Sequence, residues 1–197
     1  MTCIVGWVDK NKDIYMGCDS LGTGNGITWH LEDSKIFKNG EFLIGFCGCV
    51  RFENIIQYKF KCVKQKSTMD DRTYMYTVFV DTLIKCIKDN GWLKNKEDVI
   101  SLGDNSVLLV GYKGFLYELC GDLQLNRVSE NYRAIGAGKE IALGVLYAVQ
   151  NESIKSEEKL LKSLRGANHF ISSVGPPFRI MKKGIRGKFT EFPIYKE

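Results

Sequence analysis

The order of apolar patterns along the chain constrains its fold more than any single motif. Short strand-like runs come first, then two helix-like stretches, more strand-like runs, two further helix-like stretches and final strands. Residues 2–8 and 14–18 are apolar and β-branched around a polar turn at 9–12, and residues 21–26, with three glycines, read as a loop. Residues 27–37 are extended, and Lys38-Asn39-Gly40 is a hairpin turn before a strand at 42–47. Apolar residues at helical spacing predict helices over 51–63 and 72–88. Strands are then expected at 106–112, 115–120, 123–128 and 132–135, helices at 139–150 and 156–171, and strands at 178–181 and 188–194. Two antiparallel sheets packed face to face, each covered outside by a helix pair, would bury every apolar stripe. The expectation is an α+β fold, a four-layer αββα sandwich, with residues 1–197 as a single domain.

Composition narrows the functional classes. Of the residues, 44% are hydrophobic and 26% charged, and the net charge is +5. The densest basic stretch, Lys182-Lys183 with Arg186 and Lys188, suits a solvated terminal hairpin better than nucleic-acid binding, which calls for a stronger patch. Seven cysteines, most of them in apolar runs, fit a reducing compartment. Cys47-Gly48-Cys49 is too close for a standard metal pair, and His30 and His169 lie far apart. No apolar run reaches a membrane-spanning length of ~18 residues, and no secretory signal pattern opens the chain. A cytoplasmic protein is expected, with no cofactor, membrane or nucleic-acid partner.

The chemistry concentrates near the start. If Met1 is removed, Thr2 carries a hydroxyl nucleophile and a free α-amine whose ordinary pKa of about 7.7–8.0 lets it act as the base. Asp19 ends the second strand, Lys35 lies in Asp33-Ser34-Lys35-Ile36-Phe37, and Gly48 closes the strand before a helix. An ammonium beside the nucleophile lowers the pKa of neighbouring amine and hydroxyl groups, and a carboxylate keeps that ammonium charged and fixed. A glycine N–H at a strand end can point at a developing oxyanion.

On these residues the chain resembles proteasome β-type subunits and the bacterial peptidase HslV, the N-terminal threonine (Ntn) hydrolases. Thr2-Cys3-Ile4-Val5-Gly6 resembles the mature N-terminus of that family, Gly17-Cys18-Asp19-Ser20 its acidic stretch, Ser34-Lys35-Ile36 its lysine segment, and Gly45-Phe46-Cys47-Gly48-Cys49 its oxyanion strand end. The resemblance implies catalytic roles for Thr2, Asp19, Lys35 and Gly48. It also implies substrate contacts by Thr23, which would bind the substrate as an added strand, and by Asp33, Phe46 and Val50, which would line a pocket. A threonine-type endopeptidase acting on peptides or unfolded proteins is implied, in a homo-oligomeric ring fed by an ATP-dependent unfoldase. A bound ion near residues 168–174 is possible in the family.

The chain departs from the pattern at Ala137, which stands where the family has a proton-relaying serine, and, with the family's late turn aligned on Gly175-Pro176, at Ile171 and Val174, where it has polar residues; a one-residue shift would bring in the adjacent Ser172 and Ser173. A proteasome-fold structural or binding subunit without activity, and an Ntn amidohydrolase of small amides, therefore stay open beside the peptidase.

Overall fold

A computed structural model describes residues 1–91, 94–96, 99–102 and 106–196. The first half runs β1 (Cys3–Val8), β2 (Ile14–Cys18), β3 (Leu21–Gly24), β4 (Ile27–His30), β5 (Ile36–Asn39) and β6 (Phe42–Cys47), then α1 (Val50–Tyr58). A composite helix follows: α2 (Asp71–Tyr74), a π-helical turn (Met75–Phe79) and α3 (Val80–Asp89). The second half holds β7 (Lys94–Lys96), β8 (Val99–Ser101), β9 (Val107–Tyr112), β10 (Phe115–Leu119), β11 (Leu125–Arg127) and β12 (Tyr132–Gly136). It closes with α4 (Lys139–Val149), α5 (Ser156–Phe170), β13 (Arg179–Lys183) and β14 (Phe189–Glu191).

Two antiparallel five-stranded sheets result, in the orders β12-β1-β2-β13-β14 and β11-β10-β9-β6-β5. Strand alternation assigns the layers. From β1, Cys3, Val5 and Trp7 pack with Leu146, Leu160 and Leu164 of α4 and α5. Ile4 and Val8 point the other way, into the layer between the sheets, with Leu43, Cys47, Leu109 and Leu116. On β6, Phe42, Ile44 and Phe46 join Phe52, Ile56, Phe79 and Leu83 of the first helix group. The αββα sandwich is thus present. Each large apolar side chain it buries contributes about 1.5–3 kcal/mol.

The sheets approach closely where β1 crosses β6. A Cβ at Gly45 would lie 2.7 Å from Ile4 Cγ2, so only glycine fits there.

Several boundaries differ from expectation. Residues 21–26 are not a loop: β3 pairs with β4 through a turn at Asn25-Gly26, both with positive φ (51° and 77°). The first helix stops at Tyr58, five residues early, and the extended 27–37 run is split between β4 and β5. The strand expected from 123 starts at Leu125, because Leu123 has φ +67°, outside strand geometry. Phe178 forms only an isolated bridge, to Tyr195. Among the described residues no helix is long and apolar enough to cross a membrane.

Candidate active site

The ends of β1, β2 and β6 meet beside the start of the chain. Asp19 follows β2, and its buried carboxylate is fully engaged. Oδ1 accepts from the Cys3 N–H at 2.9 Å and from Lys35 Nζ at 2.8 Å, and Oδ2 accepts from the Leu21 N–H at 3.1 Å. Lys35, on the segment leading into β5, is also buried. Its ammonium donates further to the carbonyls of Leu21 at 2.7 Å and Met1 at 3.1 Å. All three ammonium protons thereby have acceptors, as a buried charge requires. The pair holds the main chain on both sides of Thr2: Lys35 takes the carbonyl before it, and Asp19 takes the amide after it.

The amino group of Met1 donates to Thr23 Oγ1 on β3 at 2.6 Å. Burial, and then the positive charge of Lys35, lower its pKa below the ordinary value. Thr2 is half-buried, and its carbonyl lies against Gly136 at the end of β12. Gly136 has φ +91°, and a Cβ there would collide with the Thr2 carbonyl.

Thr2 opens onto a cleft of about 890 Å³ lined by Met1, Cys47, Gly48, Cys49, Ala137 and their neighbours. The β6 ladder to β9 ends at Cys47↔Val107, so Gly48 lies just past it at the cleft wall. Gly48 has φ +141°, and a Cβ there would sit 2.6 Å from both Phe46 Cζ and Ser106 Oγ. Glycine is therefore required on two counts.

Of the residues singled out in sequence, Thr2, Asp19, Lys35, Gly48 and Thr23 converge. Asp33, Phe46 and Val50 do not line the cleft. Phe46 is 2% exposed and packs edge-on against Phe52, 5.1 Å between ring centres, because its parity on β6 turns it toward α1. It supports Gly48 from behind. Asp33 and Val50 are exposed, the latter at the first residue of α1.

The structure adds residues that sequence patterns missed. Ser106, Glu118, Lys139 and Glu140 also line the cleft, carried there by strand pairing and the α4 start, which no local motif announces. Glu53, in the first turn of α1, senses both Lys35 and Asp33. Burial pushes its carboxyl up to about 7, against the pull of Lys35. Burial likewise raises the Cys3, Cys18 and Cys47 thiols, the latter two to about 11, whereas Cys49 at the cleft is exposed. No cluster of three or more metal-ligating side chains occurs among the described residues.

No model of a known sequence family matches the chain, and no curated protein does. Solved structures do. Thiobacillus denitrificans BPH in complex with epoxomicin superposes with a TM-score of 0.76 at 20% identity, over 92% of this chain and 98% of its own. An Anbu mutant from Hyphomicrobium sp. strain MC1 gives 0.71 at 13% identity, over 100% and 87%. HslV from Trypanosoma brucei gives 0.63 at 17% identity, over 92% and 98%. The fold is accordingly the sandwich shared by BPH, Anbu and HslV.

Proposed function

We propose that the chain is a threonine-type peptidase whose nucleophile is the Thr2 hydroxyl once Met1 has been removed. The observation that carries this reading is the buried Asp19–Lys35 pair bound to the main chain on both sides of Thr2. Such a pair is costly to desolvate, and here it is buried directly beside Thr2, which lines the cleft.

Loss of Met1 frees the Thr2 α-amine and removes one acceptor of Lys35, whose freed proton then faces the new N-terminus. The hydroxyl of Thr2 attacks a peptide carbonyl, and its proton passes to the amine and on to the departing amine of the substrate as the C–N bond breaks. The resulting ester is cleaved by a water that gives its proton to the same α-amine, and the hydroxyl is restored. The Gly48 N–H stabilises the oxyanion in both halves, and Asp19 fixes the Lys35 charge. Thr23, released from the Met1 amine, binds the substrate main chain on the β3 edge. Phe46 acts by supporting Gly48, and Asp33 and Val50, which lie outside the cleft lining, take no direct part in this reading. Assembly into homo-oligomeric rings, with an ATP-dependent unfoldase supplying substrate in the cytoplasm, belongs to the same proposal.

A second reading is favoured by two observations. Ala137 has no hydroxyl to relay a proton, and the Met1 amine occupies Thr23. A chain that keeps Met1 would be a structural or binding subunit of the same fold. Turnover of fluorogenic peptides by Met1-free and Met1-bearing preparations separates the two: peptidase activity confined to the first supports the enzyme, and none in either supports the subunit.

A further inference from the structure

We propose that a second cavity, between the β1–β2 and β9–β10 turns, binds a multiply charged oxyanion of the phosphate or pyrophosphate class. The cavity has a volume of about 220 Å³ and shares no lining residue with the Thr2 cleft, so it is independent of the peptidase reading. Its wall carries three cationic side chains, Lys12, Arg72 and Arg127, against one carboxylate, Glu130. Three positive charges less one negative leave a formal excess of +2, which a dianion balances and a monocarboxylate does not.

Two of the cations are held near one ring despite their repulsion. Lys12 Nζ lies 5.1 Å and Arg127 Cζ 4.5 Å from the centre of one ring, that of Phe115. Cation–π attraction at an exposed ring is worth about 0.5–1 kcal/mol, so the ring positions the two charges without neutralising either. None of the three cations takes part in an ion pair among the described residues. Glu130 instead accepts from the Ser129 hydroxyl at 2.8 Å.

The backbone prepares this arrangement. Lys12 has φ +65° and Gly114 φ +76°, and a Cβ at Gly114 would lie 2.7 Å from Lys12 Cβ, so the two turns pack closely at the backbone from which the Lys12 side chain starts. The Arg72 main chain is fixed in the first turn of α2, where its backbone N–H donates to Asp70 Oδ1 at 3.0 Å. The Arg127 N–H donates to Tyr76 Oη at 3.1 Å. Two guanidinium groups with a lysine supply the donor chemistry that phosphate oxygens take.

Isothermal titration of the full chain with sodium pyrophosphate, at ionic strength matched with chloride, tests the site. Saturable one-to-one binding tighter than about 1 mM is expected, weakened ~10-fold or more in both R72Q and R127Q. Should R127Q fold poorly, R72Q carries the comparison, since Arg72 is an exposed residue outside the core. Parallel titrations with tripolyphosphate and ATP separate a free phosphate from a nucleotide: equal affinities identify the phosphates alone, and tighter ATP identifies a nucleotide. Heat that never saturates, or affinity unchanged in R72Q and R127Q, overturns the proposal.

Discussion

Lys35 Nζ reaches the carbonyl oxygen of Met1 at 3.1 Å while the same ammonium is paired with Asp19 at 2.8 Å. On the proposed reading, the residue in front of Thr2 therefore takes up part of the electrostatic machinery that an N-terminal threonine would use. Met1 is bound into the site at both its carbonyl and its amino group, the latter on Thr23.

Breaking the Asp19–Lys35 pair from one side should cost more than removing it whole. Lys35→Met leaves a buried carboxylate with only backbone N–H partners, and about 3–5 kcal/mol of stability should be lost. The double variant Lys35→Met with Asp19→Asn should lose less than the sum of the two single changes, measured by urea denaturation. Additive losses would mean the two groups are not energetically coupled.

Glu53 gives stability a pH dependence of known sign. Its folded pKa of about 7 exceeds the ordinary 4.5, so the folded state holds a proton that the unfolded chain releases. Its contribution is unpenalised below pH ~4.5, and the penalty grows until it is complete above pH ~7. Glu53→Gln should stabilise the protein by about 1–3 kcal/mol at pH 8 and by little at pH 5, as read from denaturation midpoints at the two pH values.

Gly48→Ala should cost about 1–3 kcal/mol, because φ +141° and the contacts to Phe46 and Ser106 exclude a methyl group. In Met1-free protein it should also lower peptide turnover by about 10²–10³-fold, the effect of losing one oxyanion donor. A variant that is destabilised yet turns over peptide normally would remove Gly48 from the mechanism.

Thiol reactivity should mark the cleft. Cys49 is exposed and lines it, whereas the Cys18 and Cys47 thiols, at about 11, hold only about 10⁻³ of their population as thiolate at pH 8. Iodoacetamide should modify Cys49 first by peptide mapping. That modification should block peptide turnover in Met1-free protein, and Cys49→Ser should confer resistance.

Much of this architecture is legible in the sequence because β1 and β6 carry apolar side chains on both faces and the helices carry theirs on one. The β3–β4 hairpin is hidden for a physical reason. Its glycines read as a loop, yet they make room for an indole: a Cβ at Gly22 would lie 2.6 Å from Trp29 Nε1. Asp19, Lys35 and Gly48 can be found by spacing and resemblance, since each lies at a strand end or on a strand lead-in. Phe46 misleads because resemblance ignores parity. One residue along β6, Cys47 faces the inter-sheet layer, while Phe46 turns to the helices. Lys139 and Glu118 are invisible to local reading because only strand pairing and the α4 start bring them to Thr2.

The most direct measurement is intact-protein mass spectrometry after incubation with an epoxyketone, which needs both a hydroxyl and a free amine to form its stable adduct. Met1-free protein should gain a single adduct mapped to Thr2, and both the Met1-bearing protein and a Thr2→Ala variant should gain none. Met1-free protein that stays unmodified, or an adduct that persists in Thr2→Ala, would contradict Thr2 as the nucleophile.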